Sequence, residues 1–320
     1  MKISTIIALI CLMVSAGFVN GQQKESNWPR KAWHQDMRYE ADHNKYRGGF
    51  TREGWVSSGN LLPHQFNIVS DPYPVRYGSH SERFEIRPTD YDGMDGKTRG
   101  NRSELTQRPA KGNPRIGEDN WFGWSFYHEN LLSVDYTYGW SPFLGQWKTD
   151  LDAPPVIAIE PAHDGRPGDG QEIAVSLPDF SEGRDRNWLK SNNFGYPCRL
   201  FSIAQSRGRW VDIVISTNFG DDDNGYLNIW INGKQKCKYR GQITVTPVDR
   251  FKSYGYRNHG PLFKRGYWSG HRSFPKKWLE NHPNAEIPTF VVYYDEWRQG
   301  KSREEVDIRI IESRSGPAVD

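Results

Sequence analysis

Tyr226-Leu-Asn-Ile-Trp-Ile-Asn-Gly-Lys234 is the stretch whose reading decides the fold. Leu227, Ile229 and Ile231 alternate with Tyr226, Asn228 and Trp230, the period of a strand with two different faces. Asn232-Gly233 ends the run. That pair accepts the positive φ angles of a two-residue turn and is the strongest short hairpin signal a sequence carries. Working outward, Trp210 to Ser216, Val156 to Ile159, Glu172 to Ser176, Trp121 to Tyr127 and Phe84 to Arg87 are short β-branched and aromatic runs. Thr289 to Tyr294, Val306 to Ile311 and Leu262 to Trp268 read the same way, with Gly, Pro, Asn and Asp between the runs. Helical periodicity is nearly absent. Many short strands joined by turn chemistry predict an all-β sandwich or barrel.

The first residues bear on the compartment. Lys2 precedes the apolar run Ile6 to Val14, and small residues lead to Val19-Asn20-Gly21. The run is short for a membrane span, so residues 1–21 are expected to be a removed signal peptide and 22–320 a single domain, secreted or periplasmic. Of three cysteines, Cys11 lies in that leader, leaving Cys198 and Cys237. An oxidising compartment permits them one disulfide, although spacing alone does not bring their Cβ atoms together. Forty-two basic and 39 acidic residues give a net charge of +3 and a mixed surface, without the concentrated basic stretches of a nucleic-acid binder. No membrane contact is expected once the leader is gone, and the chain is read as a monomer. Neither a metal nor a cofactor is expected, because no CxxC or HExxH spacing occurs. Asp221 to Gly225 reads as a polar turn rather than a calcium loop, lacking the downstream bidentate Glu. Thirteen Trp, 16 Tyr and 15 Phe suit either strand packing or stacking on sugar rings.

Three segments carry candidate chemistry. In Asn101-Arg-Ser-Glu-Leu105, also a formal glycosylation sequon, Arg102 and Glu104 share one strand face, and an Arg fixed by a Glu is a rigid donor for a substrate carboxylate. In Gly145-Gln-Trp-Lys148, Gln146 and Lys148 share a face and Trp147 takes the other. In Lys252 to Gly270, strand alternation groups Lys264, Gly266 and Trp268 against Phe263, Arg265 and Tyr267, with Tyr254 and Tyr256 upstream. An ordinary ion pair or surface strand explains each segment taken alone. The third, dense in lysine and tyrosine, makes a cationic, phenol-rich surface suited to binding an anionic polymer.

Taken in order, Arg-Ser-Glu-Leu, Gly-Trp-Ser-Phe-Tyr, Gln-Trp-Lys, Leu-Asn-Ile-Trp-Ile-Asn-Gly-Lys and Phe-Lys-Arg-Gly-Tyr-Trp resemble the heparin-lyase-I and glucuronan-lyase group. There is wider similarity to the alginate lyases, across roughly residues 84–311. The resemblance implies a β-jelly roll of two antiparallel sheets, with an anionic, uronic-acid-containing polysaccharide in a concave cleft. It also implies β-elimination: removal of the C5 proton alpha to the carboxyl group, expulsion of O4 and a 4,5-unsaturated end. That chemistry requires a neutralised carboxylate, a base and an acid. By resemblance, Arg102 and Gln146 neutralise the carboxylate and the Phe263 to Trp268 strand brings Lys264 and a tyrosine; the base is Lys148, a tyrosine (Tyr267 or Tyr256) or a histidine from elsewhere, with His43 and His64 next in line. Glu104, Lys264, Arg265, Trp147 and Trp268 would contact the polymer, with His43 and His64 reaching in from loops.

Two positions depart from the pattern. Lys148 stands where related lyases often carry His, and Trp268 stands where the alginate lyases carry the phenol. Tyr267 would need a bulge to face the cleft. Two other readings remain open from sequence. One is a jelly-roll glycoside hydrolase using Glu305 and Asp307, which share a face if 306–311 is a strand. The other is a carbohydrate-binding lectin without catalysis.

Overall fold

The computed structural model describes residues 55–57, 61–92, 101–107, 114–133, 142–148, 155–163, 170–178, 194–244, 261–269 and 274–315. Two seven-stranded antiparallel sheets face each other, as the alternation of the strands requires. The first runs in the order β1 (Trp55–Ser57), β4 (Asn101–Gln107), β13 (Leu262–Ser269), β6 (Pro142–Lys148), β7 (Ile157–Pro161), β8 (Glu172–Pro178) and β9 (Phe194–Ser202). The second runs β12 (Lys234–Arg240), β11 (Tyr226–Ile231), β10 (Val211–Thr217), β5 (Asn120–His128), β14 (Phe290–Gly300), β3 (Ser81–Ile86) and β2 (Phe66–Val69). The chain crosses repeatedly between the sheets, so each sheet interleaves early and late strands. This is a β-jelly roll.

The hairpin joining β11 and β12 turns at Asn232 and Gly233, with φ of 49° and 80°. Both values lie in the left-handed region that the Asn-Gly pair tolerates. Asp221 to Gly225 forms a turn in which Asp222 Oδ1 accepts from the Asn224 amide at 2.9 Å. Inward-facing aromatics fill the space between the sheets. Trp147 and Phe263 from the first sheet meet Trp124 and Trp297 from the second, with ring centroids 4.1 to 5.8 Å apart. Cys198 on β9 and Cys237 on β12 form a disulfide, with Cα atoms 5.3 Å apart. It ties the terminal strand of one sheet to that of the other.

One predicted strand is a pair of helices. Residues 303–306 and 308–315 form α3 (Arg303–Val306) and α4 (Ile308–Ser315), after α1 (Ile203–Ser206) and α2 (Phe274–Asn281). Asp307 explains the change. Its Oδ1 accepts from the Arg309 amide at 3.1 Å and its carbonyl from the Ile310 amide at 3.0 Å, capping α4. The segment lies against Gly123 on the outside of the second sheet, where a Cβ on Gly123 would sit 2.0 Å from the Val306 carbonyl oxygen. Local capping and this close approach override the β-branched composition.

Candidate active site

Register across the first sheet shows which side chains share its outer face. Gly266 pairs with Glu104 and Trp268 with Arg102; Lys264 pairs with both Thr106 and Gln146; Gln146 pairs with Ala158, and Ala158 with Ser176. The opposite alternation, Phe263, Gly145, Ile159 and Val175, looks into the core. Arg102, Glu104, Gln146, Lys148, Lys264 and Trp268 therefore lie on one face, across three adjacent strands.

Glu104 is the hub of this face. Only 1% exposed, its Oε1 accepts a 2.6 Å hydrogen bond from the Gln146 side-chain amide. Its Oε2 stands 3.7 Å from Arg102 Nε and 3.8 Å from Lys264 Nζ. A buried carboxylate needs such partners, and each of these cations is in turn oriented by it. The Gln146 amide nitrogen is thus directed at Glu104. The Arg102 guanidinium also lies over the Trp268 ring at 5.9 Å, and Trp268 stacks on Phe143 at 4.8 Å. Arg102 and Lys264 both stand against this carboxylate and Lys148 lies further along the same face, so cationic side chains surround Glu104 with an aromatic edge beside them.

The backbone beneath is shaped by Gly266. β13 bulges relative to β6 between Arg265 and Trp268, and Gly266 there has φ of 122°. A Cβ would lie 2.2 Å from the Ser103 carbonyl oxygen, so only glycine fits. Tyr294 of the second sheet reaches through the core to donate its hydroxyl to the Gly266 carbonyl at 2.9 Å, and it also meets the Leu144 carbonyl. Complete burial raises the Tyr294 phenol well above its ordinary pKa, holding it as a donor.

Several expected site residues are elsewhere. Trp147 is fully buried among core aromatics. Arg265, 1% exposed, pairs bidentately with Glu82 across the inside of the sandwich. Tyr267, also 1% exposed, stacks on Phe290 with centroids 5.6 Å apart. The bulge at Gly266 does not turn Tyr267 outward, because the 263/265/267 side of β13 still faces the second sheet. None of these three can touch a polymer lying on the outer face of the first sheet. His64 is held by both carboxylate oxygens of Asp90, at 2.9 and 3.1 Å, on the segment entering edge strand β2. The Glu305 and Asp307 pair required for hydrolysis is dispersed: Glu305 Oε2 accepts from the Lys301 amide, and Asp307 pairs with Arg303 and caps α4. Tyr256 and His43 lie outside the described residues.

The sequence reading missed a second set on the same face. Glu160 on β7 is 2% exposed; its Oε1 accepts from Ser176 Oγ at 2.5 Å and lies 3.3 Å from the Tyr196 hydroxyl. That hydroxyl also meets the His163 ring, 2.9 Å from Nε2 and within contact of Nδ1. The signal available was Glu160 itself, a lone carboxylate ending the apolar run Val156 to Ile159. Among the described residues, no cluster of His, Cys, Asp and Glu is arranged to hold a metal ion.

A family model described as polysaccharide lyase matches residues 38–298, and the chain belongs to that family. The protein is a polysaccharide lyase. Solved structures that resemble it include an endo-β-1,4-glucuronan lyase from the fungus Trichoderma reesei, at 16% identity over 82% of this chain and 94% of that chain, TM-score 0.49. Another is the family 7 alginate lyase A1-II′, at 14% identity over 76% and 86% of the two chains, TM-score 0.44. A GH131 β-glucanase catalytic domain from Podospora anserina aligns at 9% identity over 80% and 87%, TM-score 0.46. In a sequence comparison with curated proteins, the chain matches none.

Proposed function

We propose that the enzyme cleaves a uronic-acid-containing polysaccharide by β-elimination in the groove over the first sheet. The observation that carries this is the Arg102–Glu104–Lys264 cluster with Gln146, a positive floor built around a buried carboxylate. Abstracting a C5 proton is accessible only if the adjacent carboxylate's charge is countered as the enolate-like intermediate forms. Arg102 supplies a guanidinium fixed by Glu104 and by Trp268, and Lys264 and Lys148 add ammonium charge along the same face. Gln146 positions Glu104. Trp268 and Phe143 offer aromatic surface for a sugar ring. The Glu305 and Asp307 pair is not available for hydrolysis, being committed to the Lys301 amide and to Arg303.

On this reading residues 1–21 are removed on export, residues 22–320 form the working domain, and the enzyme acts outside the cytoplasm as a monomer. The apolar run Ile6 to Val14 and the Cys198–Cys237 bond support export. The test is incubation with glucuronan, alginate and heparin-type chains while following absorbance at about 230 nm, expected of a 4,5-unsaturated uronate formed by abstraction alpha to a carbonyl. Binding without any such product assigns the chain a lectin role. New reducing ends without the absorbance indicate hydrolysis. Either result refutes the proposal.

A further inference from the structure

We propose that β12, the terminal strand of the second sheet, is a second binding site for the anionic polysaccharide, holding a long chain outside the groove. The nature of the polymer rests on the polyuronate reading above. β12 reads Lys-Gln-Lys-Cys-Lys-Tyr-Arg, four cations in seven residues with no carboxylate among them. Lys234, Lys236, Lys238 and Arg240 are all exposed, while Cys237 is buried. A lysine on an edge strand guards against pairing with another chain. A whole row of cations is more than that needs, and these stand beside groups that suit a sugar. Lys238 pairs with Asn228 and Arg240 with Tyr226; β12 then bulges, so that Gln235 faces Trp230 and Lys236 is the extra residue. The aromatic groups are held firmly. Trp121 stacks on the Trp230 ring at 5.4 Å and Arg303 lies over it at 5.1 Å, while Arg240 lies over Tyr226 at 5.1 Å.

The ammonium groups are free to meet a ligand: Lys234, Lys236 and Lys238 form no ion pair with any described residue. Acidic side chains gather at the other end of the hairpin. There Asp119 accepts from the Tyr226 hydroxyl at 2.7 Å, and Asp221, Asp222 and Asp223 precede β11. At the turn end, Arg303 and Arg309 border Gly233, each with its own carboxylate, Asp307 and Asp212. A polyanion is therefore drawn to Lys234, Lys236 and Lys238, alternate residues about 7 Å apart along the strand.

The disulfide decides where this surface lies. Cys237 is bonded to Cys198 of β9, the last strand of the sheet that carries the groove. Five strand intervals separate β9 from β4, which carries Arg102. At about 4.8 Å each they span about 24 Å, and the step between facing sheets adds about 10 Å. A long chain lying across the first sheet reaches β12 round this edge, whereas a short oligosaccharide held by Arg102 and Lys264 does not. Binding one chain at two points makes the second contact intramolecular and raises the effective concentration of polymer at the groove.

The test compares wild type with the triple variant Lys234→Gln, Lys236→Gln, Lys238→Gln, which keeps exposed polar side chains and removes three charges; circular dichroism checks the fold. Affinity gel electrophoresis in long alginate and in glucuronan should show retention weakened about tenfold at low salt, the scale for a few exposed ion pairs, with the two proteins converging at high salt. KM on the long polymer that gives unsaturated product should rise by a similar factor. On that polymer kcat should be unchanged, as should both constants on a tetrasaccharide of the same sugar. Equal retention of variant and wild type overturns the proposal. So does an equal loss on the tetrasaccharide, which places the effect in the groove. Retention of dextran sulfate through these lysines, with none of either polyuronate, also overturns it and assigns the surface to a different polyanion. A wild-type protein retained through β12 that forms no unsaturated product upholds the second site and refutes the lyase reading alone.

Discussion

Acidification should destabilise this protein through one buried imidazole, and the size of the effect follows from its surroundings. His128 closes β5 at 1% exposure. Its Nδ1 accepts from the Leu131 amide at 3.3 Å, so the proton of the neutral ring sits on Nε2, which meets Ser206 Oγ at 2.9 Å. The Ser206 hydroxyl donates onward to the Ser202 carbonyl at 2.8 Å. Protonating Nδ1 would set two N–H groups against each other. Burial, and then the charge of Arg207, lower the His128 pKa from 6.5 to about 4. A histidine with a depressed folded pKa contributes stability that is intact above 6.5 and is lost as pH falls towards 4, because the unfolded chain binds the proton first. Between pH 7.5 and pH 5 the loss is about 2 kcal/mol, rising to about 3.4 kcal/mol once both states are protonated. Urea unfolding of wild type and His128→Gln at pH 7.5, 6 and 5 isolates this contribution, since other titrating groups act equally on both proteins. The variant offers one amide donor and one carbonyl acceptor, with no proton to gain. If the two stability curves run parallel from pH 7.5 to 5, the burial argument is refuted.

Arg102→Ala should keep the fold and lose about 2–4 kcal/mol of transition-state stabilisation, about 30- to 900-fold in kcat/KM, read as the rate of unsaturated product formation. Near-full turnover would remove Arg102 from the carboxylate site. Replacing both Cys198 and Cys237 by Ser frees a loop of 39 residues and should cost about 4 kcal/mol by chain entropy, seen as a lower urea midpoint with m unchanged or raised. Glu82→Gln leaves the Arg265 guanidinium buried against a neutral amide and should cost about 3–5 kcal/mol, whereas Glu82→Leu combined with Arg265→Met should cost less than the single change. A single variant as stable as wild type would show that the pair is not desolvated.

By itself the sequence determined most of the central strands, the Asn232-Gly233 hairpin and which residues share a strand face, because a period of two is a local property of the chain. Arg102 with Glu104, Gln146 with Lys148, and Lys264 with Trp268 were grouped correctly for that reason. Which face meets water is set by the other sheet, and nothing near Arg265 or Tyr267 in sequence reveals it. Arg265 is buried because Glu82, 183 residues away in the chain, supplies its counter-charge, and Tyr267 because Phe290 covers it. Cationic and phenolic side chains that look destined for a cleft are therefore core residues here. Residues 306–311 carry strand composition, yet Asp307 caps a helix and Val306 settles over Gly123, a contact between segments far apart in sequence. The His163–Tyr196–Glu160 chain was invisible for the same reason. Its members come from two strands and a loop, each unremarkable alone, and only the register through β8 brings their polar atoms within hydrogen-bonding distance.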